Sequence, residues 1–107
     1  VNGQSFNFGP NFIKNYSVTE LLKAFKKYLP KLKWKVEKHK TKVKEAGLLN
    51  LDSNKTKKIL QWKNILSFNE TIKMTASWYQ SFFNKQNMNL ITSNQIKVYQ
   101  LKLKKYR

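Results

Sequence analysis

Cysteine is absent from this chain, which excludes a disulfide framework and a thiolate metal site. A single histidine, His39, leaves little for a histidine-based metal site or general base. Five carboxylates in 107 residues argue against a paired-carboxylate active site. Three glycines, at positions 3, 9 and 47, cannot build a phosphate-cradling loop of the dinucleotide or the P-loop type. No Tyr is followed four positions later by Lys, and neither Gly-x-Ser-x-Gly nor His-Glu-x-x-His occurs. No apolar run approaches the ~20 residues of a membrane span. The first residues lack the basic start and apolar stretch of a signal peptide. These absences argue against a transmembrane protein, a secreted scaffold and most self-contained enzymes. They lead to the expectation of a cytoplasmic protein.

What is abundant is positive charge. Twenty-one Lys and one Arg against five acids give +17. Such an excess suits a nucleic acid or an anionic membrane. Two features count against that reading. Readers of bases and phosphates favour Arg for bidentate contacts, and the only Arg is Arg107. Asn is also frequent, with twelve copies, and Lys rising with Asn while Arg, Gly and Pro fall is what an AT-rich genome imposes on any surface. The lysines are spread over several segments, as on a solvated surface. Nucleic acid and membrane are therefore not the expected partners.

The length allows one domain, which buries somewhat under ~70% of its unfolded surface. Alternation over 4–8 and 33–38, with an extended 48–51, predicts a short sheet. Gly9-Pro10 ends the first of these segments with a turn. Ser17-Val18-Thr19-Glu20 is a capping box, and helical spacing continues through Leu29 until Pro30. Asp52 or Ser53 can cap a short helix ending near Leu60. Ser67-Phe68-Asn69-Glu70 opens a helix to Phe83, and Thr92-Ser93-Asn94-Gln95 signals another over 92–105. His39 to Gly47 and Asn84 to Asn89 read as loops. The expected fold is thus α+β, a short sheet covered by about three helices.

The run Asp52-Ser53-Asn54-Lys55-Thr56-Lys57-Lys58-Ile59-Leu60-Gln61-Trp62-Lys63 resembles a signature of nucleotide-sugar enzymes in the extended short-chain dehydrogenase/reductase family (NAD-dependent epimerase/dehydratases). That signature has Asp, two residues, Lys-Ala, then Leu-Gly-Trp-x-Pro, and a helix ending in Trp-Tyr, matched by Trp78-Tyr79. Phe6-Asn7-Phe8-Gly9-Pro10 is similar to the segment opening the family's C-terminal lobe. Glu45-Ala46 and Leu49-Asn50-Leu51-Asp52 resemble CDP-glucose 4,6-dehydratases in particular, as does the tail through Gln95-Ile96 to Tyr99. The likeness runs from about Phe6 to Tyr99. It departs from the pattern at Gln61 for Gly, Asn64 for Pro, Thr56 for Ala and Lys44 for His.

The resemblance implies a single C-terminal substrate-binding lobe over residues 1–107, without the N-terminal Rossmann domain. In the whole enzyme that domain holds NAD and the Tyr-x-x-x-Lys pair. The family's reaction moves a hydride from C4 of CDP-glucose to NAD, eliminates water across C5 and C6, and returns the hydride to C6. This chain would supply binding and no catalytic residue. The resemblance places a basic residue three positions before an acid, and Lys42 and Glu45 have that spacing; Lys44 stands close enough to share the role. A cation suits the diphosphate, and a carboxylate suits two ribose hydroxyls. An ordinary solvated loop explains the same lysines, and a local ion pair explains Glu45. Asp52 reads as a helix cap and Lys55 as a structural pairing group. Trp62 and Trp78 read as anchors of the short helix against the next. A lobe without its neighbouring domain is expected to expose apolar surface and self-associate. The alternative readings are a small Lys-rich nucleic-acid-binding module and a free-standing interaction domain.

Overall fold

The computed structural model describes residues 2–10, 14–37 and 51–106. They hold four helices: α1 (Val18–Tyr28), α2 (Asn54–Leu60), α3 (Phe68–Phe83) and α4 (Met88–Lys105). No strand occurs among the described residues, so the expected α+β fold with a short sheet is replaced by an all-helical one.

The alternation at 4–8 is used differently from the expectation. Phe6 and Phe8 do share a side, but that side faces α2 and the residues just after it. Phe6 lies under the Lys55 ammonium at 4.8 Å, and Phe8 meets Trp62 edge-on at 5.1 Å. The backbone bonds that a neighbouring strand would take are taken by side chains. Lys55 Nζ donates to the Ser5 carbonyl at 2.9 Å, and Thr56 Oγ1 donates to that of Asn7. The described part of 33–38 likewise pairs with no strand. Its Trp34 ring sits beneath Lys26 of α1, while Val36 is exposed. Of 48–51 only Leu51 is described, and it belongs to no strand.

Both capping boxes form. Ser17 accepts from the Glu20 N–H, Ser67 from the Glu70 N–H, and each Glu reaches back to its cap residue. A hydrogen bond from Lys14, followed by that from the Ser17 N–H, holds the Glu20 carboxyl below its ordinary range. α1 ends as Pro30 approaches, with the Leu29 N–H closing on the Phe25 carbonyl. It lies against α3, where Tyr28 Oη donates to Asn69 Oδ1 at 3.0 Å.

α4 starts four residues before the expected 92, because Asn87 caps it by accepting from the Leu90 N–H. The groups that suggested a cap join the two helices instead. Trp78 Nε1 donates to Thr92 Oγ1 at 2.9 Å, and Gln95 Nε2 donates to the Met74 carbonyl at 2.8 Å. Glu70 near the start of α3 pairs with Lys102 near the end of α4, so the two helices run antiparallel.

The core is small. Ile65, Ile72 and Ala76 are the buried apolar residues among those described, with Ser53 and Thr56 buried beside them.

Gln61 ends α2 at φ 53°, a left-handed conformation that a side chain disfavours. Gln61→Gly is expected to raise stability by about 1 kcal/mol, since glycine is the favoured C-terminal residue in this conformation. Thermal unfolding checks it, as ~1 kcal/mol moves the midpoint up by about 4–8 °C in a domain near this size.

Candidate functional site

The resemblance draws on two separate stretches, Phe6–Pro10 and Asp52–Trp62, and the fold joins them. The Ser53 Oγ accepts from the buried Gly9 N–H at 3.0 Å. That hydroxyl points to Gly9 and not into α2, where Ser53 holds the cap position without a side-chain cap bond. Asp52 takes the capping task in its place, accepting from the Asn54 N–H at 2.9 Å. Thr56, fully buried, and Lys55 complete the clasp over Asn7 and Ser5. Lys55 thus has a structural role, though its partner is a loop carbonyl and not a carboxylate or a helix end.

Gly9 is required at its position by close approach. A Cβ there would lie 3.0 Å from the Leu51 Cβ and 3.3 Å from the Leu51 carbonyl oxygen. Gly9→Ala is expected to cost about 1–3 kcal/mol, as an overpacking change in which backbone must give. Urea unfolding followed by Trp fluorescence tests this. A loss below ~0.5 kcal/mol would show that the clasp opens freely.

Beside the clasp lies an open cleft of about 520 Å³, lined by Phe8, Pro10, Trp62, Ile72 and Tyr99 among others. Two of its polar neighbours are engaged locally. Asn64 makes two bonds with the Leu66 backbone, and Thr71 Oγ1 donates to the Ser67 carbonyl. The cleft therefore offers ring faces and aliphatic walls, suited to a flat or apolar group. The described residues lining it include no charged side chain. An anionic ligand portion would need cations from elsewhere.

Lys42, Lys44, Glu45 and His39 lie outside the described residues. Sequence reasoning assigned no cleft to Tyr99, because Phe8, Trp62 and Tyr99 come from three distant parts of the chain. Trp62 anchors the region after α2, on Phe8. Trp78 does not hold the short helix; it stacks on Phe82 and bonds to α4.

The described residues contain no strand leading through a glycine turn into a helix, and the starts of α1, α3 and α4 are capped by their own Ser17, Ser67 and Asn87. Among the described residues no group of three His, Asp or Glu gathers as a metal site, and no helix is long and apolar enough to cross a membrane.

Comparison with protein-family models, with curated proteins and with solved structures returned no match to this chain.

Proposed function

We propose that this chain acts as the nucleotide-sugar-binding lobe of a CDP-glucose 4,6-dehydratase-like enzyme. The observation that supports this most is the clasp. Two motif stretches that the resemblance assigns to one lobe meet through Ser53, Lys55, Thr56 and Trp62. Gln61, which replaces the family's glycine, adopts the left-handed conformation that glycine favours.

In this reading the chain binds and does not catalyse. Lys42 and Lys44 neutralise the diphosphate, Glu45 accepts from the ribose hydroxyls, and the ring-lined cleft takes a flat portion of the ligand. NAD and the redox groups belong to the parent's other domain.

Calorimetric titration with CDP-glucose, CDP, UDP and ADP tests the reading. The cytidine ligands are expected to bind at least about 10-fold more tightly than UDP and ADP, or ~1.4 kcal/mol. Glu45→Gln and Lys42→Ala are each expected to weaken binding by roughly 10-fold or more, the worth of a charge-assisted hydrogen bond. Incubation with NAD and CDP-glucose is expected to yield no 4-keto product. Equal binding of all nucleotides, or indifference to both substitutions, would sink the proposal.

A further inference from the structure

α4 is apolar on more than the side it turns to α3. Leu90, Val98 and Leu101 are 57%, 57% and 62% exposed. At 100° per residue they fall within a sector of about 80°, on a stripe about three turns long. Lys97 and Lys104 border one side of that stripe by the same geometry, Lys102 borders the other, and Lys105 ends it. The exposed Asn94 interrupts this stripe, which meets at Val98 a groove of about 400 Å³ between α3 and α4 whose walls also include Met74, Tyr99, Asn94, Lys73, Lys102 and Glu70. An 18-residue helix with apolar residues on two sides needs cover on both.

The charge around this face selects the occupant. After Glu70 the sequence contains no Asp or Glu, while Lys73, Lys85, Lys97, Lys102, Lys104, Lys105 and Arg107 follow. Of these Lys102 is paired, with Glu70. A second copy seated here would set lysines against lysines. A carboxylate-bearing partner would meet a rim with an excess of cations, in which Glu70, the one carboxylate among the described residues lining the groove, is already paired with Lys102. The concave groove favours the ridge of a helix over a flat bilayer.

We infer that the α3–α4 face, with the Leu90–Val98–Leu101 stripe at its centre, docks an acidic amphipathic helix of a partner protein. This goes beyond the nucleotide-sugar reading and does not depend on it, because the stripe residues Leu90, Val98 and Leu101 belong neither to the clasp, nor to the ring-lined cleft, nor to the segment 42–45.

Three synthetic 18-residue helical peptides supply the probes, read by fluorescence anisotropy. The first has Leu on one face and Glu on the other. The second keeps the Glu face with Ser in place of Leu. The third keeps the Leu face with Lys in place of Glu. The first is expected to bind at least 10-fold more tightly than the other two, and more weakly as salt rises. The Val98→Ser/Leu101→Ser chain, its helix content checked by circular dichroism, is expected to lose at least 10-fold. Lys97→Glu/Lys104→Glu is expected to weaken binding and flatten its salt dependence. Equal binding of the two acidic peptides, or of the basic one, would overturn the inference, as would unchanged binding by either variant. So would a wild-type dimer in sedimentation equilibrium that Val98→Ser/Leu101→Ser dissociates. Binding to phosphatidylserine–phosphatidylcholine vesicles that is lost in the same variant would overturn it in favour of a membrane.

Discussion

Ile72→Ala is expected to leave the chain without a cooperative unfolding transition at 25 °C. Ile72 is 2% exposed and stands on α3, the helix that contacts both α1 and α4. Truncating a buried Ile to Ala costs about 2–5 kcal/mol, through lost transfer energy and the cavity left behind. Stability at ~0.05–0.15 kcal/mol per residue would give a chain of this length roughly 5–15 kcal/mol. With Ile65 and Ala76 as the other buried apolar residues, a value at the low end applies, and one substitution consumes most of it. The capping boxes act locally and survive, so the product should keep part of its helical signal while its tryptophans become solvated. Urea titration followed in parallel by circular dichroism and Trp fluorescence reads both effects. Ile72→Val serves as the control, with a loss of only about 0.5–1.5 kcal/mol. A sharp transition for Ile72→Ala within ~1 kcal/mol of the wild type would show that the core extends well beyond these residues.

Where a side chain speaks to its own backbone, the structure was legible in advance. Ser17 with Glu20 and Ser67 with Glu70 located two helix starts to within a residue, and Pro30 located an end. Capping is local chemistry, so its signal survives without knowledge of the tertiary fold. The alternation at 4–8 was equally real, in that Phe6 and Phe8 do point to one side. Period-two patterning says which residues share a side and is silent on what occupies it. Here the occupants are Lys55, Thr56 and Trp62, so a side-chain clasp stands where a sheet was expected. The start of α4 was hidden for a related reason. Thr92 and Gln95 carry the right groups for a cap, but they spend them on Trp78 and Met74 across the helix pair. Among the site residues, the cleft of Phe8, Trp62 and Tyr99 is a tertiary product with no local signature. The Gly9 and Ser53 contact belongs to the same kind, since a close approach 44 positions apart leaves no trace in either neighbourhood.

Raising the salt concentration is expected to convert the chain from monomer to dimer, through the aromatic end of α3. Trp78 and Phe82 stack there, and Phe82 meets Phe83 at 5.8 Å. Phe82 is 52% exposed and Phe83 71%. Residues 4–8 form no strand and so present no unpaired strand edge, which leaves the expected self-association to apolar burial. Covering an exposed Phe ring is worth about 1.5–3 kcal/mol. Four such rings, half to two-thirds exposed, would give roughly 4–7 kcal/mol gross across a two-fold contact. Association costs of about 4–15 kcal/mol make this a weak contact at best, populated only at high protein concentration. Against it stands +17 on each copy. That repulsion reaches over ~30 Å at 0.01 M salt and only ~8 Å at 0.15 M. Sedimentation equilibrium across this range should show monomer at the low end and growing dimer from physiological salt upward. Phe82→Ser/Phe83→Ser should remain monomeric throughout, while Val98→Ser/Leu101→Ser should dimerise as the wild type does. The salt response runs opposite to that of an acidic helix on α4, which weakens as salt rises, so the two surfaces are separable in one series. A wild-type monomer at high protein concentration in 0.5 M salt, where the Debye length is only about 4 Å, would defeat the prediction.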